Sequence, residues 1–176
     1  MALAAITRVD GKRNIPGADL KIKINWYDNI TTFVGLTAAP TTEAERTTVT
    51  GTFVCGDPFV EYEFIPKTTG IVGKKVGSQF ELTYEGELFV PGDAEGLTAE
   101  DQIAQLLNTR LVCVFGQQNG VDRIGGEVYD RPCQLAEVDY STKKVGEDGT
   151  VSMMVKFVWI SANPGGSKFT GTAPLS

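Results

Sequence analysis

The residue types that could do chemistry in this chain are few, because its 176 residues include no histidine. That composition removes Ser-His-Asp and Cys-His catalysis, the usual zinc sites and the commonest general base near neutral pH. The three cysteines, Cys55, Cys113 and Cys133, lack C-x-x-C spacing and lie in apolar runs, which is typical of small buried residues. The sequence therefore predicts a protein that is not an enzyme and that needs no cofactor.

Carboxylates remain as candidate catalytic groups, and they are concentrated in the segment Phe80 to Val90. Apolar and polar residues alternate there with a period of two, which predicts a strand with one polar face. The residues on that face are Glu81, Thr83, Glu85 and Glu87. Because paired carboxylates can hydrolyse glycosidic bonds, a carbohydrate-binding or hydrolytic β-sandwich is one hypothesis. The alternative is an ordinary solvated strand face.

Glycine and lysine are interspersed between Lys67 and Ser78, which invites comparison with a phosphate-binding loop. The glycine spacing is too short, and Lys75 stands where a P-loop needs Ser or Thr for the metal ion. We therefore predict a flexible basic loop that contacts a neighbouring subunit. Its candidate contact residues are Lys67, Gly70, Gly73, Lys74 and Lys75.

Composition predicts a single globular domain over residues 1–176, since 41% of the residues are hydrophobic and 22% are charged. The net charge of −6 argues against a protein that grips nucleic acid phosphates. The apolar residues 1–6 are followed at once by charges, unlike a signal peptide, and no apolar stretch has the length of a membrane span. The arm 1–18 and the Gly- and Pro-rich tail 162–176 are expected to be flexible until assembly.

Alternation with a period of two dominates the chain and predicts seven to nine strands. The segment 110–115 is apolar on both faces, as in a strand that is buried on both sides. The segment 151–160 is a long run that is apolar on both faces and is interrupted only by Ser152 and Lys156. Turn residues at 56–58 and at 117–120 each predict a hairpin.

One segment is helical, from Thr98 to Asn108, where Thr98 and Asp101 have the spacing of a capping box. Its apolar stripe is expected to pack on the core, and it consists of Ala99, Ile103, Leu106 and Leu107. The predicted fold is mostly β: a β-sandwich or small β-barrel with one flanking α-helix.

Long apolar strands with free edges would be a liability in a monomer, because open edges pair with other chains. Continuing the sheet into a copy of the same protein removes that liability, and rotationally repeated contacts close into rings. The alternative is one internal sandwich that buries every apolar face.

The order of segments resembles the tail tube proteins of bacteriophages and the related tube subunits of contractile injection systems. The resemblance begins at Ile15-Pro16-Gly17, which leads into a strand with alternating lysines, and covers most of residues 15–162. The other matching segments are Phe89-Val90-Pro91-Gly92, the helix Thr98 to Asn108, the strand Leu111 to Phe115, the hairpin 116–126, Pro132-Cys133-Gln134-Leu135, Asp139-Tyr140-Ser141 and a last long strand.

This resemblance implies hexameric rings that stack into a hollow tube in the tail of a virion, assembled in the host cytoplasm with other tail proteins. DNA would pass through the tube without specific binding, which requires a lumen without dense Lys and Arg. Glu81, Thr83, Glu85 and Glu87 are the candidate lumen-facing residues, and the loop 67–78 is the candidate contact between rings. A head–tail completion protein or a capsid decoration protein is the alternative within the virion.

Overall fold

The computed structural model describes residues 18–36, 38–65, 68–90, 94–117, 120–126, 131–145 and 151–175. This part of the chain is mostly β, with several sheets of which none closes into a barrel, as in a β-sandwich. The strands are β1 (Ala18–Trp26), β2 (Ile30–Thr32), β3 (Thr48–Val49), β4 (Val54–Cys55), β5 (Val60–Glu63), β6 (Gly70–Val76), β7 (Gln79–Val90), β8 (Leu111–Gln117), β9 (Asp122–Gly125), β10 (Gln134–Val145), β11 (Val151–Ser161) and β12 (Ser167–Phe169). The helices are α1 (Glu43–Thr47) and α2 (Ala94–Leu106).

Two sheets form the layers of the sandwich. The first has four strands in the order β10-β11-β7-β6, and every neighbouring pair is antiparallel. The second has six strands in the order β3-β12-β9-β8-β1-β5, and β2 pairs with β4 in a separate two-stranded sheet. The predicted β-sandwich is thus confirmed, and the predicted helix flanks it as α2.

The main core lies between the two sheets and contains a cluster of packed aromatic rings among its aliphatic side chains. Trp159 of β11 stacks on Phe115 of β8, with ring centroids 4.6 Å apart. Tyr84 of β7 stacks on the same Phe115 at 4.8 Å. Since these rings come from both sheets, their burial joins the layers.

A second apolar cluster covers the other face of the six-stranded sheet. Val112 and Val114 point into it, whereas Leu111, Cys113 and Phe115 point into the main core. Strand β8 is therefore buried on both faces, and the prediction made from its apolar run is confirmed.

Helix α2 begins earlier than the capping-box pattern predicts. Residues from Ala94 onward are helical, so Thr98 lies inside the helix and does not cap it. The predicted end is confirmed, because Asn108 has φ +62°, a left-handed conformation that stops the helix. Ile103 and Leu106 pack into the main core, and Leu107 is partly exposed.

The segment that follows β11 does not match the flexible tail that composition predicts. Strand β12 lies between β9 and β3, and Phe169 is buried. The last residues then pair with an earlier part of the chain, since Phe53 N–H donates to the Thr172 carbonyl and Phe59 N–H to the Pro174 carbonyl. Backbone pairing of this kind holds a Gly- and Pro-rich segment in place without much side-chain burial. The predicted arm 1–18 lies almost wholly outside the described residues.

One predicted hairpin is confirmed and the other is wrong. β8 and β9 pair across the turn at 117–120. The turn at 56–58 does not join a hairpin, because β4 pairs with β2 and β5 pairs with β1. The turn residues at 56–58 correctly predict that the chain bends between β4 and β5. They do not predict which strands β4 and β5 pair with, because that depends on the burial of their side chains.

Candidate functional site on the four-stranded sheet

The outer face of β7 carries the predicted acidic row. Leu82, Tyr84 and Leu88 are buried in the core, as is Gly86, and the odd-numbered positions 81–87 face outward. Glu81 and Glu85 are exposed, whereas Thr83 and Glu87 are half-buried. The prediction that these four residues share one face is confirmed; which surface of an assembly they line stays a prediction.

Neighbouring strands add a lysine at the centre of that face. Lys156 of β11 lies opposite Glu85 of β7 and Glu137 of β10. Its Nζ is 2.9 Å from a carboxylate oxygen of Glu137 and 3.2 Å from one of Glu85. The hydrogen bonds to Glu137 and then to Glu85 raise the pKa of Lys156 above its usual range. Lys156 therefore ties the three strands together and stays charged at neutral pH.

The face as a whole is acidic, with half-buried apolar side chains between the charges. Opposite the acidic row, β11 presents Met154, Val158 and Ile160, all half-buried. Among the side chains that the structure describes, five carboxylates and two ammonium groups share the face: Glu81, Glu85, Glu87, Glu137, Asp139, Lys74 and Lys156. This excess of carboxylates among the described side chains repels polyanions.

The basic segment predicted as a flexible loop is largely a strand. Gly70, Gly73, Lys74 and Lys75 all belong to β6, which pairs with β7 from Gly70↔Glu85 to Val76↔Gln79. Lys67 lies outside the described residues. Glycine hides the strand in the sequence, yet Gly73 is needed here because a Cβ at this position would collide with the Pro164 carbonyl. The proposed role of these residues in ring contacts is untested.

Both outer strands of this sheet have open edges in the described part of the chain. β6 has seven residues and β10 has twelve, and each has a single strand neighbour in the sheet order. The start of β10 also bonds to the end of α2, through Asn108 N–H and the Leu135 carbonyl. The remaining edge groups of both strands can therefore bond to another strand.

A separate surface pocket of about 250 Å³ lies where β1, β5 and α2 meet. Trp26, which is 40% exposed, and Tyr62 contribute aromatic rings to it. The Tyr62 hydroxyl donates to the side-chain carbonyl of Gln102 at 2.9 Å, and Gln105 and Asp57 add further polar groups. The mixture of aromatic and polar lining is one that small polar ligands use.

The two buried cysteine thiols are in surroundings that make them poor nucleophiles. Cys113 and Cys133 are both fully buried, and neither is in a disulfide. Burial raises the pKa of the Cys113 thiol well above its usual range, and the hydrogen bond and the electrostatic interaction with the neighbouring Cys133 raise it further. These two cysteines therefore behave as the small core residues that the sequence predicts, and Cys55 is half-buried.

Across residues 18–175, apart from the short gaps between described ranges, no group of three or more His, Cys, Asp or Glu side chains could hold a metal ion. No helix within those same ranges combines the length and apolar character that crossing a membrane requires.

Comparison of the chain with protein-family models, with curated proteins and with solved structures finds no match.

Three further members of the acidic face, Glu137, Asp139 and Lys156, are not predicted from the sequence. One signal was available: Lys156 is the only charged residue in the otherwise apolar run 151–160. A lone charge in such a strand indicates a partner on a neighbouring strand, but the partner's identity depends on sheet order.

Proposed function

We propose that this chain is a structural subunit that assembles with copies of itself into rings and tubes, as the tail tube of a phage does. The observation that supports the proposal most is the open four-stranded antiparallel sheet, whose edges β6 and β10 are long and lack strand partners in the described part of the chain. Exposed edges of this length favour pairing with another chain.

The directions of the four strands suit a ring. Because all three neighbouring pairs are antiparallel, β6 and β10 run in opposite directions. If subunits repeat around an axis, β6 of one copy meets β10 of the next as another antiparallel pair. The sheet then continues through every subunit with the same pattern, and a closed ring leaves no edge.

The acidic outer face supports a conduit for DNA. In a ring closed through β6 and β10, one face of the continuous sheet lines the channel. Glu81, Glu85 and Glu87 would repel phosphates there, and Lys156 is held by Glu85 and Glu137, so it cannot act as a free anchor. A channel of this kind lets a polyanion slide without binding it.

Assembly of the purified protein tests the first part of the proposal. Sedimentation velocity over a range of concentrations, with negative-stain electron microscopy, should reveal rings of one size and short tubes. A protein that stays monomeric at high concentration, including in the presence of tail assembly partners, contradicts the proposal.

The channel face is tested by the triple change Glu81→Lys, Glu85→Lys and Glu87→Lys. Rings should persist, but genome delivery should fail because the lumen would retain phosphates. The matched control changes Glu43, Glu63 and Asp101 to lysine, which alters net charge equally at exposed positions away from this face. Normal delivery by the first variant would mean that the face does not line the channel.

The other virion roles are a head–tail completion protein or a capsid decoration protein, which also self-associate. Antibody or gold labelling of particles separates them, since a tube subunit is found along the tail. Label confined to the neck or the head would replace the tube proposal with one of these roles.

A second candidate function is carbohydrate binding, and the pocket beside α2 favours it over the glutamate face. An exposed indole (Trp26) can stack on a sugar ring, while the Asp57 carboxylate and the Gln105 amide can bond to hydroxyls. Saturation-transfer NMR with methyl glucoside and methyl galactoside tests it, with Trp26→Ala as the negative control. Absence of transfer at millimolar sugar removes this candidate.

A further inference from the structure

We infer that the two open edges are matched by charge: the basic strand β6 of one copy pairs with the acidic first half of β10, residues 134–140, in the next copy. This inference rests on the proposed ring, and it names the contact that forms it. The partner is a second copy of the same chain, and the contact is head-to-tail.

β6 and the first half of β10 carry opposite charges, whereas the second half of β10 contains Lys143 and Lys144. β6 contains Lys74 and Lys75, both exposed, and no acidic residue. Residues 134–140 contain Glu137 and Asp139, both exposed, and no basic residue. No ion pair joins Lys74, Lys75 or Asp139 to another side chain within the described ranges. These charges are therefore available to a neighbouring copy.

Strand parity places the opposite charges on one face of the joined sheet. Lys74 lies opposite Glu81 of β7, so it faces outward. Glu137 and Asp139 lie opposite Lys156 and Met154, and they face outward as well. Only registers that keep buried residues on the inner side are permitted, because a shift of one residue turns every side chain over. Lys74 then comes opposite one of the two carboxylates or diagonal to it, within the distance at which cross-strand pairs interact.

The same charges oppose two-fold contacts that are made through β6 or through residues 134–140 of β10. Pairing β6 with β6 would bring lysines together, and pairing β10 with β10 through residues 134–140 would bring carboxylates together. Like charges placed opposite each other destabilise a strand pair. Edge lysines protect many proteins from indiscriminate pairing. In this chain the acidic residues 134–140 of β10 are also present, so the lysines of β6 favour pairing with β10 of another copy. This head-to-tail pairing favours rings over dimers.

Val72 and Val76 give the contact an apolar component. They share the outer face of β6 with Lys74 and are 65% and 51% exposed. Addition of a strand beside them would cover part of this surface, so the edge gains burial in addition to backbone hydrogen bonds.

Two charge-reversal variants test the inference. The first, Lys74→Glu with Lys75→Glu, makes β6 acidic like residues 134–140; the second, Glu137→Lys with Asp139→Lys, makes those residues basic like β6. Each alone should weaken assembly at least about tenfold, measured by sedimentation velocity. An equimolar mixture should restore rings of wild-type size, because each acidic β6 then meets a basic β10 and each basic β6 meets an acidic β10.

Fold and charge controls accompany these variants. Glu137→Lys removes a partner of Lys156, so the variant Gln134→Lys with Asp139→Lys provides a basic edge that keeps this ion pair. Near-ultraviolet circular dichroism verifies that each variant is folded. Arg46→Glu with Lys168→Glu is the matched control for the first variant, since both residues are exposed and neither lies in the four-stranded sheet. This control should assemble as the wild type does.

The outcomes separate this inference from the proposed function. If the wild type forms rings and both reversal variants also form them, the charge match is wrong and the ring proposal stands. If the folded variants fail singly and their mixture also fails, or yields only particles of two copies, β6 and β10 are not partners. A wild type that never assembles overturns the ring proposal and this inference together.

Discussion

The two sheets of the sandwich end in different ways. In the six-stranded sheet the outer strands are β3, with two residues, and β5, with four. In the four-stranded sheet they are β6, with seven, and β10, with twelve. The C-terminal residues also pair beside the six-stranded sheet, through Thr172 and Pro174. The described residues provide no comparable cover for β6.

Short edge strands and covering segments are how sheets avoid pairing with other chains. The six-stranded sheet therefore has the features of a sheet that ends within the subunit, and the four-stranded sheet has those of a sheet that can continue. The two sheets share one core. We call the six-stranded sheet the closed sheet and the four-stranded sheet the open sheet, and substitutions in the core and in each sheet test the difference between them.

The largest effect is expected at the core that both sheets share. Trp159→Ala should lower the free energy of unfolding by about 3–5 kcal/mol, because it leaves a cavity beside Phe115. Urea denaturation followed by circular dichroism measures the change. Val72→Ala on the open edge is the control, and it should alter the stability of the monomer by less than about 0.5 kcal/mol. Equal effects of the two changes would mean that the sheets do not depend on a common core.

The next effect is expected from opening the closed sheet. Removal of residues 171–176 eliminates three backbone hydrogen bonds, which join Thr172 to Gly51 and Phe53, and Pro174 to Phe59. At about 0.5–1.5 kcal/mol each, their loss should lower the free energy of unfolding by about 2–4 kcal/mol. Static light scattering should also show new, irregular association through the uncovered strands.

The full-length variant Leu175→Ser controls for the loss of an exposed apolar side chain without loss of the backbone bonds. If the truncated protein is as stable and as dispersed as this control, the C-terminal segment does not close the sheet.

A smaller effect is expected within the open strand β6, where two glycines differ. Gly73→Ala would bring a Cβ against the Pro164 carbonyl and should lower the free energy of unfolding by about 1–3 kcal/mol. Gly70→Ala meets no atom within 4 Å and should be neutral or slightly stabilising. Thermal unfolding of both variants measures the contrast. A Gly73→Ala protein with unchanged stability would mean that β6 is not held against the turn at 162–166.

The smallest effect concerns the charge at the centre of the open sheet. Glu137→Gln should lower the pKa of Lys156 towards its usual range, because the strongest hydrogen bond to its ammonium group is replaced by a neutral one. NMR titration of the Lys156 side chain measures this shift.

The sign of the pH dependence follows from the raised pKa. At neutral pH the Lys156 ammonium group is charged in both the folded and the unfolded protein, and its ion pairs stabilise the folded state. This stabilisation is lost in alkaline solution, as pH rises through the raised pKa that Lys156 has in the folded protein. Glu85→Gln should have the smaller effect of the two substitutions, since its oxygen is farther from Nζ, at 3.2 Å against 2.9 Å. The reverse order would mean that Lys156 bonds chiefly to β7.

Much of the fold could be predicted locally. Alternation in residues 80–90 predicted a strand with one acidic face, and the apolar run 110–115 predicted a strand buried on both faces. The prediction failed at β6, although its partner β7 is the next strand along the chain. β6 looked like a loop because Gly70 and Gly73 have low strand propensity, and β7 supplies the pairing that makes it a strand.

The sequence by itself determined that the chain contains no histidine, that its charge is −6 and that Glu81, Thr83, Glu85 and Glu87 lie on one strand face. Composition and the alternation of apolar and polar residues are properties of the sequence itself, so they can be read before the fold is known. Only the tertiary structure decided that Lys156 lies between Glu85 and Glu137 and that β6 and β10 are the open edges. Sheet order depends on which strands bury one another, and that choice is made by contacts between distant segments.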